Sequence, residues 1–114
     1  MNDKNTEYLV KTYPDLYKFR KYFACNDGWF KIIDDLSAKL TKEIELEGGE
    51  LHCFDVKEKY GTLRYYMDGE TPKISVLIDK AEGESAKTCE MCGKQGKLRG
   101  TAWVSILCDG CMEK

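Results

Sequence analysis

Two Cys-x-x-Cys pairs, Cys89-Glu90-Met91-Cys92 and Cys108-Asp109-Gly110-Cys111, stand fifteen residues apart in the last quarter of the chain. Two intervening residues let the backbone turn so that both thiolates of a pair face one point, and the separation between pairs is that of a tetrahedral metal site. Gly93 and Gly110 are placed to relieve these turns of a Cβ where positive φ is wanted. Four thiolates at about 2.3 Å fill the shell of a Zn2+ ion and leave no position for water, so the expected role is structural. The same sulfurs also suit iron. Two disulfides are a competing reading, but they need an oxidising compartment, and Met1-Asn2-Asp3-Lys4-Asn5 shows no basic and apolar secretory segment. A redox pair of thioredoxin type would sit beside a βαβ pattern and come singly, not matched.

The other reactive side chains do not assemble into a catalytic set. His52 is the only histidine and stands beside Cys53; neighbours on a strand point to opposite faces, so they do not make a base and a nucleophile. Cys25, His52 and Cys53 would share a metal only through a long-range contact, and buried free thiols with a surface histidine are the simpler expectation. Asp34 and Asp35 diverge by about 100° on a helix and read as a solvated face.

Two surfaces remain for binding. Glu43, Glu45, Glu47 and Glu50 form an acidic set able to meet a basic protein surface. Lys57, Lys59 and Arg64 alternate with Tyr60, Tyr65 and Tyr66, so Lys57, Lys59, Arg64 and Tyr66 offer the alternative, a nucleic-acid surface of cations for phosphate and rings for stacking.

The elements that must position these residues follow from periodicity and punctuation. Thr6 caps a short helix over residues 7–12 that Pro14 ends, after five polar residues expected to fray. Asn26-Asp27-Gly28 opens the main amphipathic helix, residues 28–46, whose stripe is Trp29, Ile32, Ile33, Leu36, Leu40 and Ile44; Gly48-Gly49 stops it. A strand around Leu51, Cys53, Phe54 and Val56, a turn over residues 57–61 and a strand over residues 62–67 make an antiparallel hairpin that covers this stripe. Thr71-Pro72 starts a helix running to about residue 87, with Gly83 as its weak point. Between the cysteine pairs, residues 97–100 and 102–107 form a shorter hairpin with Trp103 and Ile106 as its apolar residues. Metal turn, hairpin and metal turn are the parts of a zinc ribbon, or of a treble clef truncated before its closing helix. The expected fold is therefore α+β: a body of residues 1–86, helices packed on an antiparallel hairpin, and a four-cysteine module of residues 87–114 packed on it as one unit.

Composition agrees with a small folded domain. Hydrophobic residues make up 42% and charged residues 33%, and no apolar run approaches the roughly twenty residues of a membrane span. The net charge of −2 argues against a protein built mainly to neutralise phosphates. Residues 87–114 carry five basic and three acidic side chains, against thirteen and seventeen in residues 1–86, so the module is mildly basic and the body acidic.

Three strings carry a resemblance: Gly28-Trp29-Phe30 opening the main helix, Val56-Lys57-Glu58-Lys59-Tyr60-Gly61-Thr62-Leu63-Arg64-Tyr65-Tyr66, and Cys89-Glu90-Met91-Cys92-Gly93. Together they resemble a set of small zinc-ribbon-like proteins of phages and prophages, over roughly residues 8–111. The resemblance implies a phage protein at work in the cytoplasm of a bacterial host. Small phage metalloproteins similar to it include inhibitors of type II CRISPR nucleases, which occupy a surface of the effector. The expected function is thus non-enzymatic: binding of a bacterial defence protein, most concretely as an anti-CRISPR inhibitor. The alternative is a zinc-ribbon accessory protein that binds nucleic acid directly.

Overall fold

The computed structural model describes residues 1–113. Its elements are α1 (Asp3–Thr12), a 3-10 turn (Asp27–Trp29), α2 (Phe30–Glu47), β1 (Cys53–Lys59), β2 (Thr62–Met67), α3 (Pro72–Ser85), β3 (Lys97–Arg99), β4 (Ser105–Leu107) and α4 (Asp109–Met112). The fold is α+β, with helices on one antiparallel hairpin, a second hairpin and a four-cysteine end. No helix among the described residues is long and apolar enough to cross a membrane.

The chain begins in order rather than fraying. Asn2, not Thr6, caps α1, its side chain accepting from the Asn5 amide. The Asn2 amide and the Asn5 side chain both donate to Asp27 Oδ1, which ties α1 to the entrance of α2. The cap lies four residues earlier than expected because both residues satisfy the same rule, and the contact to Asp27 decides between them.

The expected stripe is buried, Trp29 from the 3-10 turn that replaces the first residues of the expected helix and Ile32, Ile33, Leu36 and Leu40 from α2, with Ile44 partly covered. It stops at Gly48, whose left-handed φ of 73° lets its amide reach the Ile44 carbonyl. On the facing hairpin, Cys53, Val56, Leu63, Tyr65 and Met67 complete the core, together with Ile74, Ile78 and Ala81 of α3. A polar thread crosses this core. Tyr17 Oη lies 2.6 Å from Ser37 Oγ and 2.9 Å from Tyr65 Oη, and Ser37 Oγ donates to the Ile33 carbonyl.

The first hairpin is longer than the sequence suggested. Lys57, Glu58 and Lys59 belong to β1, pairing with Arg64, Leu63 and Thr62, so the turn is only Tyr60-Gly61. Both turn residues have positive φ, 54° and 88°, as a two-residue turn matched to strand twist requires. Both edges of the hairpin find partners. The Ala24 amide donates to the Val56 carbonyl and the Glu58 amide to the Ala24 carbonyl, so the segment around Ala24 lies parallel to β1. Across the hairpin, the Leu63 amide donates to Ser85 Oγ and the Tyr65 amide to Glu82 Oε2, both on α3. Helix α3 is capped by Thr71 with Pro72 in its first turn and ends at Ser85, two residues short of the expected bound.

The second hairpin pairs Lys97–Arg99 with Ser105–Leu107. Ile106 is buried as expected, but Trp103 lies in the connecting loop with 91% of its surface exposed. The alternation that assigns Trp103 to a strand fails because the loop is longer than a tight turn. A helical turn, α4, does follow Cys108, where no closing helix was expected.

Candidate metal centre and partner surfaces

The four sulfurs of Cys89, Cys92, Cys108 and Cys111 lie within 4.8 Å of one another, and Cys92 Sγ and Cys108 Sγ are 3.6 Å apart. Bonds of about 2.3 Å from one central ion would set tetrahedral sulfur–sulfur edges at roughly 3.8 Å, so the arrangement fits one metal ion. Each pair is shaped by its backbone. The Gly93 amide donates to the Cys89 carbonyl, with Gly93 at φ 85°. At the second pair Cys108 Sγ caps α4 by accepting from the Cys111 amide at 3.3 Å. Gly110 therefore sits in a helical turn, not at a left-handed position, which corrects the role expected for it.

Two of the four thiols are shifted toward the thiolate that a cation binds. Burial raises the Cys89 thiol, but the backbone N–H groups of Cys108, Cys92 and Met91 outweigh it and bring the group down to about 6. The Cys111 amide holds the Cys108 thiol below its ordinary value. Cys111 moves the other way, up to about 12, because the sulfurs of Cys108 and Cys92 beside it make a further negative charge costly. Two sites favour the thiolate while one resists it. A bound cation removes that conflict and releases the protons.

The first knuckle is joined to the body by backbone contacts. Gly28 donates its amide to the Glu90 carbonyl at 2.7 Å, and Trp29 Nε1 donates to the Thr88 carbonyl at 2.9 Å. The buried Glu90 carboxylate accepts from the Asn26 amide and from Asn26 Nδ2, both at 3.1 Å. A Cβ on Gly28 would stand 2.1 Å from the Cys89 oxygen. Gly28 is thus needed for close approach, a role that helix punctuation alone does not reveal.

The other candidates are dispersed. His52 Nδ1 contacts Asp68 Oδ2 at 2.9 Å, and its ring meets Phe19 edge-on. Cys25 and Cys53 are buried thiols, each raised to about 12 chiefly by burial. Among the described residues, the four-cysteine group is the one set of three or more such side chains with converging ligand atoms, so Cys25, His52 and Cys53 form no second site. Asp34 accepts from the Tyr13 hydroxyl at 2.7 Å while Asp35 faces solvent.

The acidic set is split between two sides of α2. The Glu47 carboxylate beside Glu43 raises the Glu43 carboxyl above its ordinary value, and Glu47 accepts from Thr71 Oγ1 at the start of α3. Glu45 and Glu50 line a separate groove with Asp15, Thr41 and His52. Two residues along a helix are about 200° apart, so Glu45 faces away from Glu43 and Glu47, and Glu50 lies beyond the end of α2.

The basic set does share a face. Val56, Leu63 and Tyr65 point inward and are buried, which turns Lys57, Lys59, Arg64 and Tyr66 outward. Tyr65 is accordingly a core residue and not a stacking platform. Three residues that sequence reasoning missed join this face. Phe54 is half exposed, with its ring 5.9 Å from that of Tyr66. Arg20 pairs with Asp55 at 2.9 Å and stands over the exposed Tyr22 ring. The run Lys18-Phe19-Arg20-Lys21-Tyr22 has the same cation–aromatic alternation, and that was the available signal.

Comparison with protein-family models, curated proteins and solved structures finds no match to this chain.

Proposed function

We propose that this chain is a non-enzymatic binding protein, stapled by a structural zinc ion, that engages nucleic acid through the outer face of its first hairpin. The observation that carries this reading is the make-up of that face. Lys57, Lys59 and Arg64 share one face with Arg20, and the one carboxylate paired there, Asp55, meets Arg20 and Lys57, on a chain whose net charge is −2. Local charge, not the total, sets the potential that an approaching phosphate meets. Zinc in a closed shell of Cys89, Cys92, Cys108 and Cys111 would hold the C-terminal module in place and expose no water for chemistry.

A second reading, supported by the resemblance to small phage proteins, is inhibition of a bacterial defence protein, most concretely a type II CRISPR nuclease in the host cytoplasm. The exposed Tyr60 and Trp103 favour it, since both line one groove where the hairpins meet and both are residue types that anchor protein interfaces. The acidic residues Glu43, Glu45, Glu47 and Glu50 could contribute only as two separate pairs.

A mobility shift with single- and double-stranded DNA and RNA at physiological salt, set beside binding and DNA-cleavage assays with a purified type II nuclease, separates the two. Nucleic-acid binding lost on changing Lys57, Lys59 and Arg64 to Gln supports the first. Protection of target DNA without any mobility shift supports the second and overturns the first. Elemental analysis of protein purified under reducing conditions tests the zinc assignment.

A further inference from the structure

We infer that the outer hairpin face takes single-stranded nucleic acid, with Tyr22, Phe54 and Tyr66 stacking on bases and Arg20, Lys57, Lys59 and Arg64 tracking the backbone; this rests on the nucleic-acid reading above. A duplex hides its base faces, so exposed rings at the centre of a basic surface are of use chiefly to unpaired bases. Here the rings are available. Tyr22 and Phe54 are 61% and 52% exposed, and Tyr66 is part-exposed beside Phe54.

Cations and rings are placed as couples. Lys57 Nζ lies 5.8 Å from the Tyr66 ring centre, Arg20 Cζ 5.6 Å from that of Tyr22, and Lys59 Nζ 5.7 Å from that of Tyr60. Each couple offers a stacking surface and a phosphate contact within one nucleotide's reach. Arg64 forms no ion pair among the described residues, and Asp55 pairs with Arg20 at 2.9 Å and with Lys57 at 3.9 Å.

The surface spans three lines of chain: the segment up to Ala24, then β1, then β2, in hydrogen-bonded order. Helices α2 and α3 pack on the opposite side, leaving this one free.

The test is fluorescence anisotropy of labelled oligo(dT) and oligo(U) against a duplex of equal length, using the full metal-loaded chain. Four phosphate contacts on a single strand predict a log–log salt slope of about −3. Tyr66→Ala and Phe54→Ala should each weaken binding roughly tenfold, and Tyr66→Phe should retain it, because stacking needs the ring and not the hydroxyl. Circular dichroism of each variant checks that it folds, and Tyr66→Phe with Arg64→Gln provides a set that leaves the core untouched. Equal or tighter binding of duplex overturns the single-strand inference while sparing the nucleic-acid reading. Binding unaffected by every ring and Arg variant overturns the placement. Competition by poly-glutamate as effective as that by oligo(dT) would assign the face to acidic proteins and overturn both, as would no binding at low salt.

Discussion

Replacing Gly28 by Ala adds one methyl group where the body meets the first metal knuckle. The new Cβ would lie 2.1 Å from the Cys89 oxygen and 2.4 Å from the Glu90 carbonyl carbon and oxygen. All three are backbone atoms, so no side chain can swing aside. Overpacking of this kind costs about 1–3 kcal/mol, and displacing the knuckle also strains the Gly28–Glu90 hydrogen bond, worth about 1 kcal/mol net. The substitution recovers roughly 0.4–1 kcal/mol by restricting the unfolded chain. The net expectation is a loss of about 2–3 kcal/mol, or about 10 °C in Tm for a domain of this size. Gly83→Ala is the internal control. Gly83 is exposed within α3 and has nothing within 4 Å of a new Cβ, so the same change should stabilise by roughly 0.5–1 kcal/mol. Urea unfolding followed by tryptophan fluorescence, in a Trp103→Phe background that leaves only the buried Trp29, reads both. A Gly28→Ala protein as stable as the Gly83→Ala protein would refute the close-packed junction.

Other expectations follow from the same contacts. Chelation, or Cys89→Ser, should loosen residues 87–114 and shift Trp29 emission in the Trp103→Phe background, because Trp29 Nε1 is bonded to the carbonyl one residue before Cys89; unchanged emission after verified metal loss would disconnect the two. Cys25 and Cys53 should resist iodoacetamide in the native protein at neutral pH, and their thiols, held neutral up to about 12, favour the folded state fully below the unfolded value near 9. That contribution is lost as the pH climbs from about 9 toward 12, which a falling Tm over this window would register. Tyr17→Phe should cost about 1–3 kcal/mol in denaturant unfolding, since it takes the Tyr17 hydroxyl away from the buried Tyr65 hydroxyl, while Ser37 keeps its bond to the Ile33 carbonyl. Trp29→Ala should cost roughly 3–5 kcal/mol, near the whole stability of such a domain, and melt it at a sharply lower temperature.

How much was legible in the chain depended on whether a signal was local. The cysteine spacing, the stripe from Trp29 to Leu40 and the Thr71-Pro72 start are short-range patterns, and the structure carries all three. The α1 cap was ambiguous because Asn2 and Thr6 are both good caps, and only Asp27, far along the chain, chooses. The turn is narrower than residues 57–61 because Lys57, Glu58 and Lys59, poor strand formers, are held extended by pairing with Arg64, Leu63 and Thr62. Composition suggested that Glu43, Glu45, Glu47 and Glu50 act together, but helical geometry divides them. The place of Arg20 and Tyr22 beside β1 depends on the Ala24 pairing, which no periodicity encodes.

The occupied edges of the first hairpin bear on how this protein behaves when crowded. A strand edge with free amides is a template for another chain, and small sheets are prone to stack through it into fibres. Here β1 is met by the segment around Ala24, and the amides of Leu63 and Tyr65 on β2 are held by Ser85 and Glu82. A helix side chain fills each place that a neighbour's carbonyl would seek. The exposed aromatic surface can therefore be displayed at high concentration without offering the backbone needed for self-templated growth. Glu82→Ala with Ser85→Ala would reopen that edge to another chain.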